Sequence, residues 1–467
     1  MSPRIPVINP VSPAILGEKL LFKSSKRSAE NRFIKAALTE RVATYVHGNP
    51  AETGIPTQGL MNMYQKFSHG GFGVLLTGNI MVDPHHLESD GNMIIHHSVD
   101  GPLRRERFAG LAKAMKDVPS VLAIAQLGNA GRMTPENITA RPISASEVHC
   151  TAAGRLKISY GKPRALKLEE IKNEVIRDFV FAAKFCKEAG FDGVELHSAH
   201  GYLLAQFISP TTNERNDKYG GSLENRVRLN LEIYEAIRKE IPAETGFIVG
   251  IKMNSVEFQN KGLRSEEAVF MCKEYDRVGF DFIELSGGTI ERLAFNHLSD
   301  TTRAREAFFL EFAKEIKPAV KNSVVYLTGG FRTVPAMVKA IEDGVTDAIG
   351  LGRPIGAELD LPAKILAGKV QSAKRNILED NFVVSNALCS VQMWQAQQTP
   401  FSENVDINLG ILDGSDEKIA NEFKDAYMKF LEKTESLLAK TNGRPLPFIT
   451  TLIEHLPTDF AIKAQGA

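Results

Sequence analysis

Eight short, almost uninterrupted apolar runs rich in β-branched residues recur along most of the chain, and no other feature limits its fold as tightly. They are RFIKAAL from Arg32, GVLLTGN from Gly73, VLAIAQL from Val121, DGVELH from Asp192, FIVGIKM from Phe247, DFIELS from Asp281, VVYLTGG from Val324 and TDAIGLG from Thr346. Both faces of each run are apolar, which is the pattern of a parallel strand covered on both sides. Between the runs apolar residues recur at helical spacing, as in Val175, Phe179, Ala182, Ala183 and Cys186, or Leu229, Ile233 and Ile237. Strand and helix in alternation imply right-handed βαβ units. Eight such units predict an α/β fold closed as a (β/α)8 TIM barrel, although an open, doubly wound sheet shares the periodicity. A barrel gathers its functional groups where strands stop and loops begin, and the polar motifs of this chain fall there.

Residues 1–375 are read as the barrel and 376–467 as a mainly helical extension, with the last barrel helix at about Leu359 to Leu366. In the extension Ser415 is the expected N-cap, with Asp416 and Glu417 in the first turn. Ile419, Phe423, Tyr427, Phe430 and Leu431 form an apolar stripe, expected to dock on the barrel or on a neighbouring subunit. A chain of 467 residues that is 43% hydrophobic and 24% charged can bury a sizeable core. Lys plus Arg and Asp plus Glu are both 56, so net charge does not steer it toward nucleic acid or an anionic membrane. The four cysteines, Cys150, Cys186, Cys272 and Cys389, form no CxxC, which argues against a zinc ribbon or a cysteine-ligated cluster and for buried thiols. With no leader-like N-terminus and no apolar stretch of about eighteen residues, a cytoplasmic location without a membrane partner is the expectation.

The fourth run continues into HSAHGYLLAQFISPTTNERNDKYGGSLENR, from His197 to Arg226. His197, His200 and Tyr202 put hydrogen-bond donors and a weak acid on one strand-end loop. HxxH lacks the third ligand and the helical HExxH form of a zinc site, so no metal is assigned; a core histidine satisfied by its neighbours is the plain alternative. Lys252, in VGIKMNS, is a cation in an apolar strand, which needs a partner; a salt bridge to Glu195 or Glu284 is one. The strand ends TGGFRT and GLGRP carry glycines that let backbone amides approach a phosphate, and Thr333 can cap the following helix. Any one of these glycines also suits a plain turn.

The long His197–Arg226 segment resembles the Old Yellow Enzyme family of flavin-dependent ene-reductases, in particular its branch with a HAAHGYL motif, over roughly Leu20 to Ala367. The resemblance implies FMN as cofactor and NADH or NADPH as reductant. It implies that His197 and His200 bind a substrate carbonyl oxygen and that Tyr202 donates a proton to the α-carbon. In the same way the backbone of Ala36 and Ala37 borders the isoalloxazine, and Thr39 contacts the flavin, though a hydroxyl capping a turn is its alternative. Gly78 and Asn79 end the second strand at the cofactor, Gln126 pairs with the pyrimidine edge and Lys252 lies beside that ring. Gly329, Gly330, Gly352 and Arg353 match the phosphate grip. The implied partner is a small enone- or enal-like molecule, in a chain that could pair as a homodimer.

Three features look individual, one of them the segment AGRMTPE after Gln126. Arg41 stands where some relatives with this motif carry an aromatic residue, and the loop from Asp83 to His97 is rich in histidine. His85, His86, His96 and His97 are expected to decorate a solvated loop rather than bind a metal, because adjacent pairs point in divergent directions. The expected function is reduction of an activated C=C bond by flavin hydride transfer and Tyr202 protonation. An FMN barrel carrying an iron–sulfur cluster fits poorly without a cysteine cluster. A non-redox aldolase- or isomerase-type barrel would keep the phosphate loops without the flavin, and the colour of the purified protein separates it from the first reading.

Overall fold

Each of the eight runs contains a strand in the computed structural model, which describes residues 2–151, 159–254, 262–286, 310, 313–440, 452–454 and 456. They are β1 (Phe33–Lys35), β2 (Val74–Met81), β3 (Leu122–Gly128), β4 (Gly193–Ser198), β5 (Ile248–Asn254), β6 (Phe282–Ser286), β7 (Val324–Thr328) and β8 (Ala348–Leu351). Neighbours pair in parallel in chain order, and β1 pairs with both β8 (Gly350 opposite Ile34) and β2 (Ile34 opposite Val74). That double pairing closes the barrel and excludes the open sheet. Met93–Ile94 adds a short strand beside β2.

Successive strand residues point to opposite faces. Ile34, Val74, Leu76, Leu122, Ile124, Ile248, Phe282, Tyr326 and Ala348 fill the barrel interior, whereas Phe33, Leu75, Ala123, Val194, Val249 and Ile283 belong to the layer shared with the helices. An N-terminal hairpin, Leu20–Phe22 with Arg27–Ala29, adds Phe22 to the inner core beside Phe282, ring centroids 6.1 Å apart. It plugs the end where strands begin, leaving chemistry to the end where they stop. Carrying the interior parity up the strands, by two residues from Ile124, Gly193 and Phe282 and by four from Ile248, leads to Gln126, Glu195, Glu284 and Lys252, with His197 above.

Around the barrel run α1 (Gln58–Ser68), α2 (Pro102–Met115), α3 (Arg177–Ala189), α4 (Leu223–Glu240), α5 (Ser265–Val278), α6 (Val334–Glu342) and α7 (Leu361–Leu366). The periodic residues Phe179, Ala182, Ala183 and Cys186 are buried, as are Leu229, Ile233 and Ile237. Gly190 ends α3 at φ 93°, a left-handed cap that a side chain resists.

Two long helices follow, α8 (Phe382–Ala396) and α9 (Glu417–Lys440). Cys389, Met393 and Ala396 of α8 join the barrel core. Val384, Ala387, Leu388 and Val391 pack on Phe423, Tyr427 and Phe430 of α9, with Ile419 and Leu431 at the margin. The stripe thus docks on a helix that itself rests on the barrel. Lys66 of α1 reinforces the junction, donating to the Ala396 carbonyl at 2.9 Å and the Thr399 hydroxyl at 2.8 Å. The expected cap is displaced by one residue: Asp416 Oδ1 accepts from the Ile419 amide at 3.1 Å, while the Ser415 hydroxyl donates to Asp413. A nearby acidic acceptor captured the serine, leaving the cap to the next side chain.

Among the described residues no helix is long and apolar enough to cross a membrane. All four cysteines are buried and none is disulfide-bonded, and burial pushes the thiols of Cys186, Cys272 and Cys389 up.

Candidate active site

β4 ends at Ser198, and the chain then turns through His200 at φ 60° and Gly201 at φ 82°. A histidine in the left-handed region is uncommon and must be held by its surroundings. Its amide donates to Asn254 Oδ1 at 3.3 Å, and its Nε2 lies 3.1 Å from Ser286 Oγ, so the ends of β5 and β6 anchor it. His197 Nδ1 accepts from the Ala199 amide at 3.3 Å. That bond leaves Nε2 as the proton-bearing nitrogen of the neutral ring. Burial, then His200 and Lys252, holds the His197 pKa well below the ordinary imidazole value, so the ring is a neutral donor. The His200 ring lies 5.2 Å from it, edge to face, and the Tyr202 ring 4.8 Å from it at 81°. Tyr202 occupies the N-cap position of the short helix Leu203–Ile208.

Below this triad lie two buried acid–partner pairs. Gln126 Nε2 donates to Glu195 at 2.6 Å, and Lys252 Nζ to Glu284 at 2.9 Å. Lys252 is therefore an ion-paired cation. The salt bridge open at the level of sequence is formed, with Glu284, which lies opposite it in the β5–β6 register.

β2 does not end at Gly78 and Asn79 but runs on to Met81, and the loop after β1 is joined to it by a residue that sequence reading passed over. Glu88 accepts from Thr39 Oγ1 and Asn79 Nδ2, both at 3.1 Å, and from Arg41 Nη2 at 2.9 Å. Burial alone would raise Glu88, but Arg41 and the hydrogen bonds bring it below its ordinary value. Arg41 is itself held at φ 59°. Gly78 has a packing reason to be glycine: a Cβ there would meet the Glu40 carboxylate and the Leu38 carbonyl, while its amide donates to Glu40 at 2.7 Å. Ala36 and Ala37 lie at the same strand end, the Ala36 amide donating to Leu351 O at 2.9 Å. Lys35 was also passed over. Its side chain reaches the helix layer, donating to Leu76 O at 2.9 Å and lying over the Tyr64 ring, and burial lowers its pKa to about 8.

On the far side Gly329 and Gly330 take φ 139° and 80°, conformations that favour glycine. Gly352 has room for a Cβ, its nearest neighbour being Leu38 at 3.6 Å, so packing does not demand glycine there. The Arg353 side chain reaches the extension: Nη1 is 3.1 Å from Ser385 Oγ, and the guanidinium lies 4.8 Å from the Phe382 ring. Thr333 takes the N-cap position of α6 without a side-chain bond to its amides.

Of the loop histidines His85 and His97 are exposed, as expected, but His86 and His96 are not. His86 is buried, with Nδ1 2.6 Å from Asp83 and Nε2 accepting from the Ile143 amide at 3.0 Å. His96 and His97 do not diverge: their ring centroids are 4.0 Å apart, and both face Asp178, at 3.4 and 3.8 Å. Arg177 ion-pairs with that carboxylate at 3.0 Å, and the cluster is a polar network closing the loop onto α3. Local spacing could not show it, because Asp178 comes from another element.

The rim so assembled carries a buried cation, an amide with donor and acceptor, glycine-led loops on one side and a buried amide nitrogen, Asn254 Nδ2, with no partner among the described residues. These residues fit a planar heterocycle with a phosphate tail, which is the form of a flavin mononucleotide.

Comparison with known proteins agrees. Residues 24–371 match the NADH:flavin oxidoreductase / NADH oxidase family. The chain is 42% identical over 389 residues to an NADH-dependent flavin oxidoreductase of Aspergillus parasiticus, covering 82% of this chain and 86% of that one. An Old Yellow Enzyme homologue from Zymomonas mobilis matches with a TM-score of 0.61 at 25% identity, over 78% of this chain and 95% of the other. A 2-naphthoyl-CoA reductase shares the fold at a TM-score of 0.67 and 24% identity, over 76% of this chain, which spans 53% of that larger one. The chain therefore belongs to the NADH:flavin oxidoreductase / NADH oxidase family, the Old Yellow Enzyme type of FMN-dependent oxidoreductase that draws electrons from NAD(P)H.

Proposed function

We propose that this oxidoreductase is an ene-reductase acting on the C=C bond of small α,β-unsaturated carbonyl compounds. The observation that carries the reading is the cluster of His197, His200 and Tyr202, in which the rings of the latter two lie 5.2 and 4.8 Å from that of His197, above the buried Lys252. Bound FMN, charged by NADH or NADPH, supplies the hydride. His197 and His200 hold the carbonyl oxygen, and donors fixed in advance stabilise the negative charge that grows there more than they stabilise the ground state. Tyr202, a phenol with a reference pKa of about 10, hands its proton to the α-carbon. Gln126, Lys252, Thr39 and Asn79, with the backbone of Ala36, Ala37 and Gly78, are the residues we assign to the flavin ring. Gly329, Gly330, Gly352 and Arg353 are those assigned to its phosphate. Buried thiols suit a reducing cytoplasm.

Purified protein should be yellow and release one FMN per chain on heating, and anaerobic NADH-driven turnover should consume cyclic enones or enals. Release of FAD, or flavin-loaded protein that reduces no member of an enone and enal panel, overturns the proposal.

Lys252→Met should lower the midpoint potential of bound FMN and slow its reduction, because a positive charge at this position favours the electron-rich cofactor. Spectroelectrochemistry reads the shift. An unchanged potential at full FMN content would leave Lys252 only a structural partner of Glu284.

A further inference from the structure

Lys252 alone suggests a positive barrel floor, yet the layer holds two acids for one base. Gln126, Glu195, Lys252 and Glu284 are all at most 3% exposed, and the polar contacts run Gln126 to Glu195 at 2.6 Å and Lys252 to Glu284 at 2.9 Å. Among the described residues one oxygen of each acid, Glu195 Oε1 and Glu284 Oε2, has no hydrogen-bond partner, and the two acids flank β5 from either side, Glu195 opposite Gly250 and Glu284 opposite Lys252. Two facing acceptor oxygens in a dry site repel unless one proton sits between them. Lys252 decides which acid keeps it, because Glu284 contacts an ammonium whereas Glu195 contacts a neutral amide.

We propose that this pair is split: Glu284 carries the negative charge that offsets Lys252 and so tunes the potential of the flavin, while Glu195 stays protonated and acts as a positioning residue for Gln126. Burial, then Glu284, holds Glu195 well above the ordinary carboxyl range; burial raises Glu284 too, but the Lys252 charge together with hydrogen bonding by Glu195, Thr328 and Lys252 brings it below. The floor is then neutral, with one cation, one anion and one neutral acid. The protonated carboxyl donates to Glu284 and accepts from Gln126 through its other oxygen. That contact requires the amide nitrogen of Gln126 to face Glu195, which turns the amide oxygen away from the acid. An amide that could flip would present its donor and acceptor in either sense; Glu195 removes the ambiguity.

The effect on potential rests on the reading that FMN lies on this floor, and the experiment separates the two. Midpoint potentials and FMN content are measured for the wild-type holoenzyme, Glu284→Gln and Glu195→Gln, together with the infrared carbonyl band of a protonated carboxyl in the wild type and in Glu195→Gln. Glu284→Gln should raise the midpoint, since it removes a negative charge at nearly constant shape. Glu195→Gln should leave the midpoint in place, since a neutral group replaces a neutral group, and should abolish the infrared band. A midpoint that rises equally in both variants, or in neither at full FMN content, overturns the split, as does a wild-type spectrum without the band. Should the chain bind no FMN, the functional reading fails, and the infrared band in unliganded protein still decides the protonation.

Discussion

Tyr202→Phe is expected to slow reoxidation of the reduced enzyme by an unactivated enone by about one hundred- to ten thousand-fold, the range for losing a positioned general acid. FMN content and reduction by nicotinamide should stay near wild type. The structure makes this a clean test. Tyr202 is 7% exposed and packs with Ala130, Met133 and Cys150, and its ring lies edge to face on His197 at 4.8 Å. Phenylalanine keeps those contacts and removes only the hydroxyl. Hydride and proton must reach adjacent carbons, so the loss falls on one half-reaction. Strongly activated nitroalkenes, which tolerate slow protonation, should suffer less. Stopped-flow traces of the two half-reactions decide: wild-type enone reduction would refute the proton-donor role, and equal slowing of both halves would point to a disturbed nicotinamide site.

The double substitution His197→Ala with His200→Ala should abolish the charge-transfer band given by a para-substituted phenol and lower enone turnover by at least about one hundred- to a thousand-fold, the cost of a single oxyanion donor. Both effects arise together because phenolate and developing enolate present the same oxygen to the same donors. His197 contributes as a neutral ring, its proton kept on Nε2 by the Ala199 amide at Nδ1. The two histidines differ in how they are held. His200 is tied to Ser286 and Asn254, so Ser286→Ala offers a milder perturbation of one donor. Wild-type-like phenol titration in the double variant would sink the assignment of the pair.

The eight strands were legible because a buried parallel strand advertises itself locally, in a few consecutive residues whose two faces are both apolar. The constellation of His197, His200 and Tyr202 was legible for a related reason. All three lie on one contiguous loop, and the turn through His200 and Gly201 that brings their rings together spans only a few residues. The apolar stripe of α9 could be read from its period alone, whereas its cap could not, because Asp413 competed for the Ser415 hydroxyl.

What the tertiary structure alone decided is which distant polar groups meet. Lys252 had two candidate acids in the sequence, and only the β5–β6 register, which sets it opposite Glu284, chose between them. Gln126 read as a cofactor ligand gave no sign of Glu195, 69 residues away. Glu88, an unremarked loop acid, became the hub for Thr39, Asn79 and Arg41 once the second loop folded back over the first strand end. His96 and His97 seemed to diverge until α3 brought Asp178 to them. Arg353 sat in a phosphate-loop motif, yet its side chain reaches the extension through Ser385. The physical reason is common to all five. Secondary structure and contiguous motifs follow from short-range sterics and hydrophobic period, but the partner of a buried charge is whatever barrel closure and register carry to within about 3 Å of it, and that is a long-range property of the folded chain.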